Sequence, residues 1–101
     1  MNRRLKLHEL LKTVSGTPNV YFQPPESLKL KYPAIIYALN GINSIYADDK
    51  PYIVKRAYSI TVIDKNPDSA IADRISELPE CRFNRAYASD NLNHTVFTIT
   101  Y

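Results

Sequence analysis

Leu7, Leu10, Leu11 and Val14 stand at i, i+3, i+4 and i+7, the spacing of one face of an α-helix. Gly16 follows that face where a left-handed C′ residue is favoured, and Pro18 stops continuation. The spacing predicts a first helix over about residues 3–15. Val20-Tyr21-Phe22 is a short strand-prone run closed by Gln23-Pro24-Pro25, and the polar stretch Glu26 to Tyr32 reads as a loop. Pro33 opens the next strand, a position where its missing N–H is tolerated, and Ala34 to Leu39 continues it. Asn40-Gly41 between two apolar runs predicts a two-residue hairpin turn, after which a further strand begins near Ile42. Asp48-Asp49-Lys50-Pro51 predicts a second turn. Tyr52 to Asp64 is then the longest strand, with Tyr58, Ile60 and Val62 alternating along one side.

Asn66-Pro67-Asp68-Ser69 reads as a helix start, with Asn66 as N-cap, Pro67 at the first helical position and Asp68 complementing the dipole. Ile71, Ile75 and Leu78 form the apolar face and Pro79 ends it, so the second helix spans about 67–78. Arg82 to Tyr87 and Thr95 to Tyr101 make a closing pair of strands around a polar connection, Ala88 to Asn93. The fold class is α+β, in the order α-β-β-β-β-α-β-β, with an antiparallel sheet and both helices packed on one face. No repeat, linker or low-complexity stretch divides the chain, and residues 1–101 form one domain.

Composition adds limits. No apolar run approaches the roughly 20 residues that cross a bilayer, and the leucines near the N-terminus alternate with Lys, His and Glu rather than forming a signal-peptide core. The chain is therefore expected in the cytosol of the cell that makes it. The net charge of +3 is spread among interspersed carboxylates, which permits a polyanionic partner without demanding one. Cys81 is the single cysteine, so no internal disulfide is available, and its neighbours Glu80 and Arg82 match no redox or metal spacing. His8 and His94 stand apart, on the flank of the first helix and on the last strand. No nucleophile elbow, zinc-helix motif or paired cysteine occurs, and two glycines do not build a phosphate-cradling loop. The reading is non-enzymatic, with no cofactor and no metal; Asp48-Asp49 reads as a solvated turn rather than a cation site.

Surfaces carry more information. Eight tyrosines stand beside three phenylalanines and no tryptophan, an excess that suits either an interface or a strand-rich fold. The strand faces opposite the core carry Ala57, Ser59, Thr61 and Ile63, and Val96, Thr98 and Thr100. So little charge on a sheet face predicts burial against another subunit.

The segments Val20-Tyr21-Phe22-Gln23-Pro24-Pro25, Tyr32-Pro33-Ala34-Ile35-Ile36-Tyr37 and Tyr58-Ser59-Ile60-Thr61-Val62-Ile63-Asp64, the last followed by Asn66-Pro67-Asp68-Ser69, resemble small tail proteins of phages and prophages of Gram-positive bacteria. Cys81-Arg82-Phe83-Asn84-Arg85 and Asp90-Asn91-Leu92-Asn93-His94 extend the resemblance over nearly the whole chain. The family is that of tail terminator, or tail completion, proteins. The resemblance implies a structural virion protein, assembled in the host bacterial cytoplasm, that forms a homo-hexameric ring. That ring caps the tail tube and joins it to the neck, with the tail tube protein and a head-closure protein as partners. DNA passes through such a ring without specific recognition, and no membrane is involved. Heterologous contacts close into a ring only at the correct rotation. Ile45, Tyr46, Asp48, Asp49, Lys50 and Tyr52, around the second turn, are the expected inter-subunit or tube contacts. Two other readings stand beside this one: a head-closure or neck subunit, and a double-stranded nucleic-acid-binding module. The second is weakened by Pro67-Asp68-Ser69-Ala70, acidic where a phosphate would sit.

Overall fold

The computed structural model describes residues 3–25, 29–47, 50–66, 68–89 and 91–101; for residues 3, 42–47 and 50–55 the description is of the backbone. The first helix, α1 (Arg3–Ser15), ends as its spacing predicts. Gly16 adopts φ 72° and donates its N–H to the Lys12 carbonyl at 3.0 Å, which satisfies an end-of-helix acceptor. The expected apolar face is the buried one: Leu7 and Leu11 are fully buried, and Leu10 and Val14 pack partly against the same core.

Five strands follow the order β1-β2-β3-β5-β4 in one sheet. They are β1 (Val20–Phe22), β2 (Ala34–Ala47), β3 (Lys50–Asp64), β4 (Cys81–Ser89) and β5 (Leu92–Thr100). The α+β class holds. The sheet is mixed, because β1 lies parallel to β2, while every other pairing is antiparallel. A parallel neighbour needs a long return connection, which the loop after Phe22 supplies.

Asn40-Gly41 is not a turn. β2 runs straight through it, and Asn40 is the extra residue of a β-bulge between Leu39, opposite Tyr58, and Gly41, opposite Ala57. The two strands expected on either side of Asn40-Gly41 are thus one. A turn there would cut the ladder short, whereas continuing lets Ala34–Ala47 pair with Lys50–Asp64 almost end to end. The link between β2 and β3 is instead residues 48–49, so Lys50 and Pro51 belong to β3 and not to a turn; Asp48 and Asp49 lie outside the described residues.

The second helix, α2 (Ala70–Ser76), begins later than expected. Its N-cap is Ser69, whose hydroxyl oxygen accepts the Ala72 N–H at 3.4 Å, and not Asn66. Asp64 accepts the Asn66 N–H at 3.1 Å and Asn66 accepts the Asp68 N–H at 2.9 Å, so these side chains hold the backbone in successive turns ahead of the helix. Pro67 lies outside the described residues. The polar stretch Ala88 to Asn93 is mostly strand, since Ser89 pairs with Leu92 across a two-residue link in which Asn91 takes φ 62°.

Both helices cover one face of the sheet. Leu7, Leu11 and Ile75 meet Ile35, Tyr37, Tyr58, Ile60, Val62, Phe97 and Ile99 in a single core cluster. The Arg74 guanidinium donates to the Ser15 carbonyl at 3.4 Å and so ties the end of α1 to α2. On the opposite face Ala34, Ile63 and Val96 are buried, while Ile36, Ala38, Ala57, Ser59, Thr61, Thr98 and Thr100 are half-buried. None of these residues carries a charge.

Candidate functional site

Strand pairing decides where the molecule is exposed. β5 flanks β3 only from Ala57 to Asp64, and β1 flanks β2 only from Ile35 to Tyr37. Tyr101 adds a last pair of hydrogen bonds with Arg56, at 2.8 and 3.4 Å. Past that point residues 42–47 and 50–55 continue as a two-stranded arm. Its six-residue β2 side reaches roughly 20 Å at about 3.3 Å per residue. The molecule is accordingly long, 51 × 24 × 23 Å.

Four of the expected contact residues sit on the arm's backbone. Ile45 pairs with Ile53, Tyr46 with Pro51, and Lys50 with Ala47. Tyr52 is the extra residue of a second bulge, between the Ile45–Ile53 and Tyr46–Pro51 pairs. Asp48 and Asp49, between Ala47 and Lys50 in sequence, lie outside the described residues. Ile45, Tyr46, Lys50 and Tyr52 are therefore brought together at the far end of one hairpin.

A second surface escaped the sequence reading. β4 closes the sheet at the other side and is exposed along nearly its whole length, with only Cys81 half-buried. Its front side carries Phe83, 63% exposed although edge-on to the buried Phe97 at a centroid distance of 6.1 Å. Its back side carries Arg82, Arg85 and Tyr87. The Arg85 guanidinium lies 5.3 Å from the Tyr87 ring centroid, and Tyr87 stacks on His94 at 4.7 Å. Nδ1 of His94 is buried and has no hydrogen-bond partner among the described residues. The run Arg82 to Tyr87 was legible as a strand; that it forms the rim of the five-stranded sheet is a property of sheet order.

The other polar groups read as structure. His8 is half-buried, with Nδ1 2.8 Å from the Tyr37 hydroxyl in the core. Arg4 lies over the Phe22 ring at 4.6 Å and hydrogen-bonds Tyr37. Burial, and after it the Lys12 charge, hold the His8 pKa below its ordinary value; Glu9 pulls the other way and Arg4 adds the smallest push downward. Burial likewise raises Tyr37, partly offset by Arg4. The Arg4 charge near the start of α1, unfavourable to the helix dipole, is thus engaged within the fold. Burial raises the Cys81 thiol, which disfavours the thiolate.

A cleft of about 520 Å³ opens between α1 and the end of β5, lined chiefly by Lys6, Leu10, Leu78, Glu80, Ile99 and Tyr101. Among the described residues no three His, Cys, Asp or Glu side chains converge as metal ligands would, and no helix is long and apolar enough to cross a membrane. No family model matches the sequence, and no curated protein matches it at significance.

Proposed function

We propose that the protein is a structural subunit of a multi-copy assembly, the tail terminator of a phage or prophage of Gram-positive bacteria. In this reading it forms a ring, a hexamer, that caps the tail tube and joins it to the neck. The observation that carries the proposal is the arm. A two-stranded hairpin is marginally stable alone in water, and residues 42–47 and 50–55 extend beyond the other described strands of the sheet. Such an element is expected to gain its order from a neighbour. The uncharged β2, β3 and β5 residues of the back face named above and the exposed aromatic edge of β4 favour the same conclusion, because both suit contact with protein rather than with a small substrate. The segments that resemble tail completion proteins supply the particular assembly.

Electron microscopy of particles made without the protein tests the role. Overlong or irregular tails are the expected result. Tailless filled or leaking heads would transfer the protein to head closure, and normal particles would remove it from the virion.

A further inference from the structure

We infer that the β4 edge of one copy pairs with the outer edge of the β2 arm of the next, so that two exposed edges of the same chain form one repeating seam. The inference deepens the proposed ring role and rests on that reading for closure of the ring. Three observations carry it. First, among the described residues both edges are unpaired, and they are similar in length. β4 offers Cys81–Ser89, and β2 offers Asn40 to Ala47 once β1 has ended at Phe22. Gln23 takes the outward Leu39 N–H at 3.2 Å and closes the ladder at that point. Second, the charges disfavour the pairing of two β4 edges. β4 carries Arg82 and Arg85 and no acid, so a two-fold β4–β4 contact would gather four arginines in one seam. Residues 40–47 carry no charge at all, and Asp48 and Asp49 are balanced by Lys50 and Lys55 over the rest of the arm, so a neutral edge meets the two arginines of β4. Third, direction agrees. Within the sheet β4 runs opposite to β2, so a neighbour turned by a modest rotation meets it antiparallel. Phe83, most of its ring uncovered beside Phe97, is the anchor that an added strand would bury.

Because the two edges differ, the contact is heterologous and propagates, closing into a ring or extending as a filament. Light scattering on two full-length variants tests it. One carries Phe83→Glu with Arg85→Glu, at exposed positions of β4; the other carries Ser44→Pro on the arm, where the alternation of the β2–β3 ladder turns the backbone N–H away from β3. Wild-type protein is expected to gain mass as concentration rises, and each variant alone is expected to remain monomeric. An equimolar mixture retains one intact β4 and one intact arm, and is expected to stop at twice the monomer mass. That rescue also shows both variants to be folded. An arm variant that still dimerises alone, a mixture that stays monomeric, or wild-type protein that never associates would overturn the seam. Rings formed equally well by either variant alone would overturn it while leaving the ring role standing.

Discussion

β4 and β5 are hydrogen-bonded partners of equal length, nine residues each, yet they live in different environments. β5 has β3 on its other side and carries Val96, Phe97 and Ile99 in buried positions. β4 has β5 alone, and eight of its nine residues are exposed. The contrast separates two sources of order. β5 is held by apolar burial as well as by its ladders; β4 is held by one ladder and by a few ring contacts. Strand content therefore says little about stability here, and neighbour number says much.

The sharpest break of this contrast is a pair of truncations. Phe97→Ala is expected to cost about 3–5 kcal/mol, the range for a buried aromatic, whereas Phe83→Ala is expected to stay below about 1.5 kcal/mol, the worth of an aromatic pair beyond burial. Urea denaturation measures both, and equal costs would make β4 part of the core.

The two His–Tyr pairs repeat the contrast for polar groups. Tyr37→Phe removes a buried hydroxyl shared by His8 and Arg4 and is expected to cost about 0.5–1.5 kcal/mol, as a typical net hydrogen bond does. Tyr87→Phe, on the exposed side of the sheet, is expected to fall within about 0.5 kcal/mol of wild type. A larger loss at Tyr87 would show β4 to be more deeply engaged than its exposure indicates.

His8 adds a pH arm to the same comparison. Its folded-state pKa lies below the unfolded 6.5, so the unfolded chain binds the proton more readily. The His8 contribution is complete above pH 6.5 and is lost as pH falls through the lower folded value. His8→Gln should flatten that part of the profile of denaturation midpoint against pH, and an unchanged slope would remove His8 as its source.

The smallest effect concerns Cys81, the one half-buried residue of β4. Its raised pKa predicts slower alkylation than a peptide thiol at neutral pH, with the difference vanishing in denaturant. A rate equal to that of the peptide would mean that β4 opens freely at its start.

Much of this architecture was legible one residue at a time. α1 and its Gly16 stop, the alternation of Tyr58, Ile60 and Val62, and the β-prone run at Val20 follow from periodicity and turn chemistry, which act over a few residues. Competition between local signals was not legible. Asn40-Gly41 and Asp48-Asp49 each suit a turn, and only the length of ladder gained by pairing Ala34–Ala47 with Lys50–Asp64 decides between them. Asn66 and Ser69 each suit an N-cap, and side-chain turns at Asp64 and Asn66 hand the role to Ser69.

The candidate site divides in the same way. Ile45, Tyr46, Lys50 and Tyr52 were placed near one turn by sequence proximity, and they do share one hairpin. The Phe83 edge depended on tertiary order. Whether a strand has one neighbour or two is set by which distant segments pair, and no property of Cys81–Ser89 itself encodes it. Local pattern thus determined the elements and their apolar faces, because those arise from steric and hydrogen-bonding preferences within a turn or a pleat. Sheet order alone decided which strand became the rim and how far the arm reaches, because both are outcomes of long-range pairing.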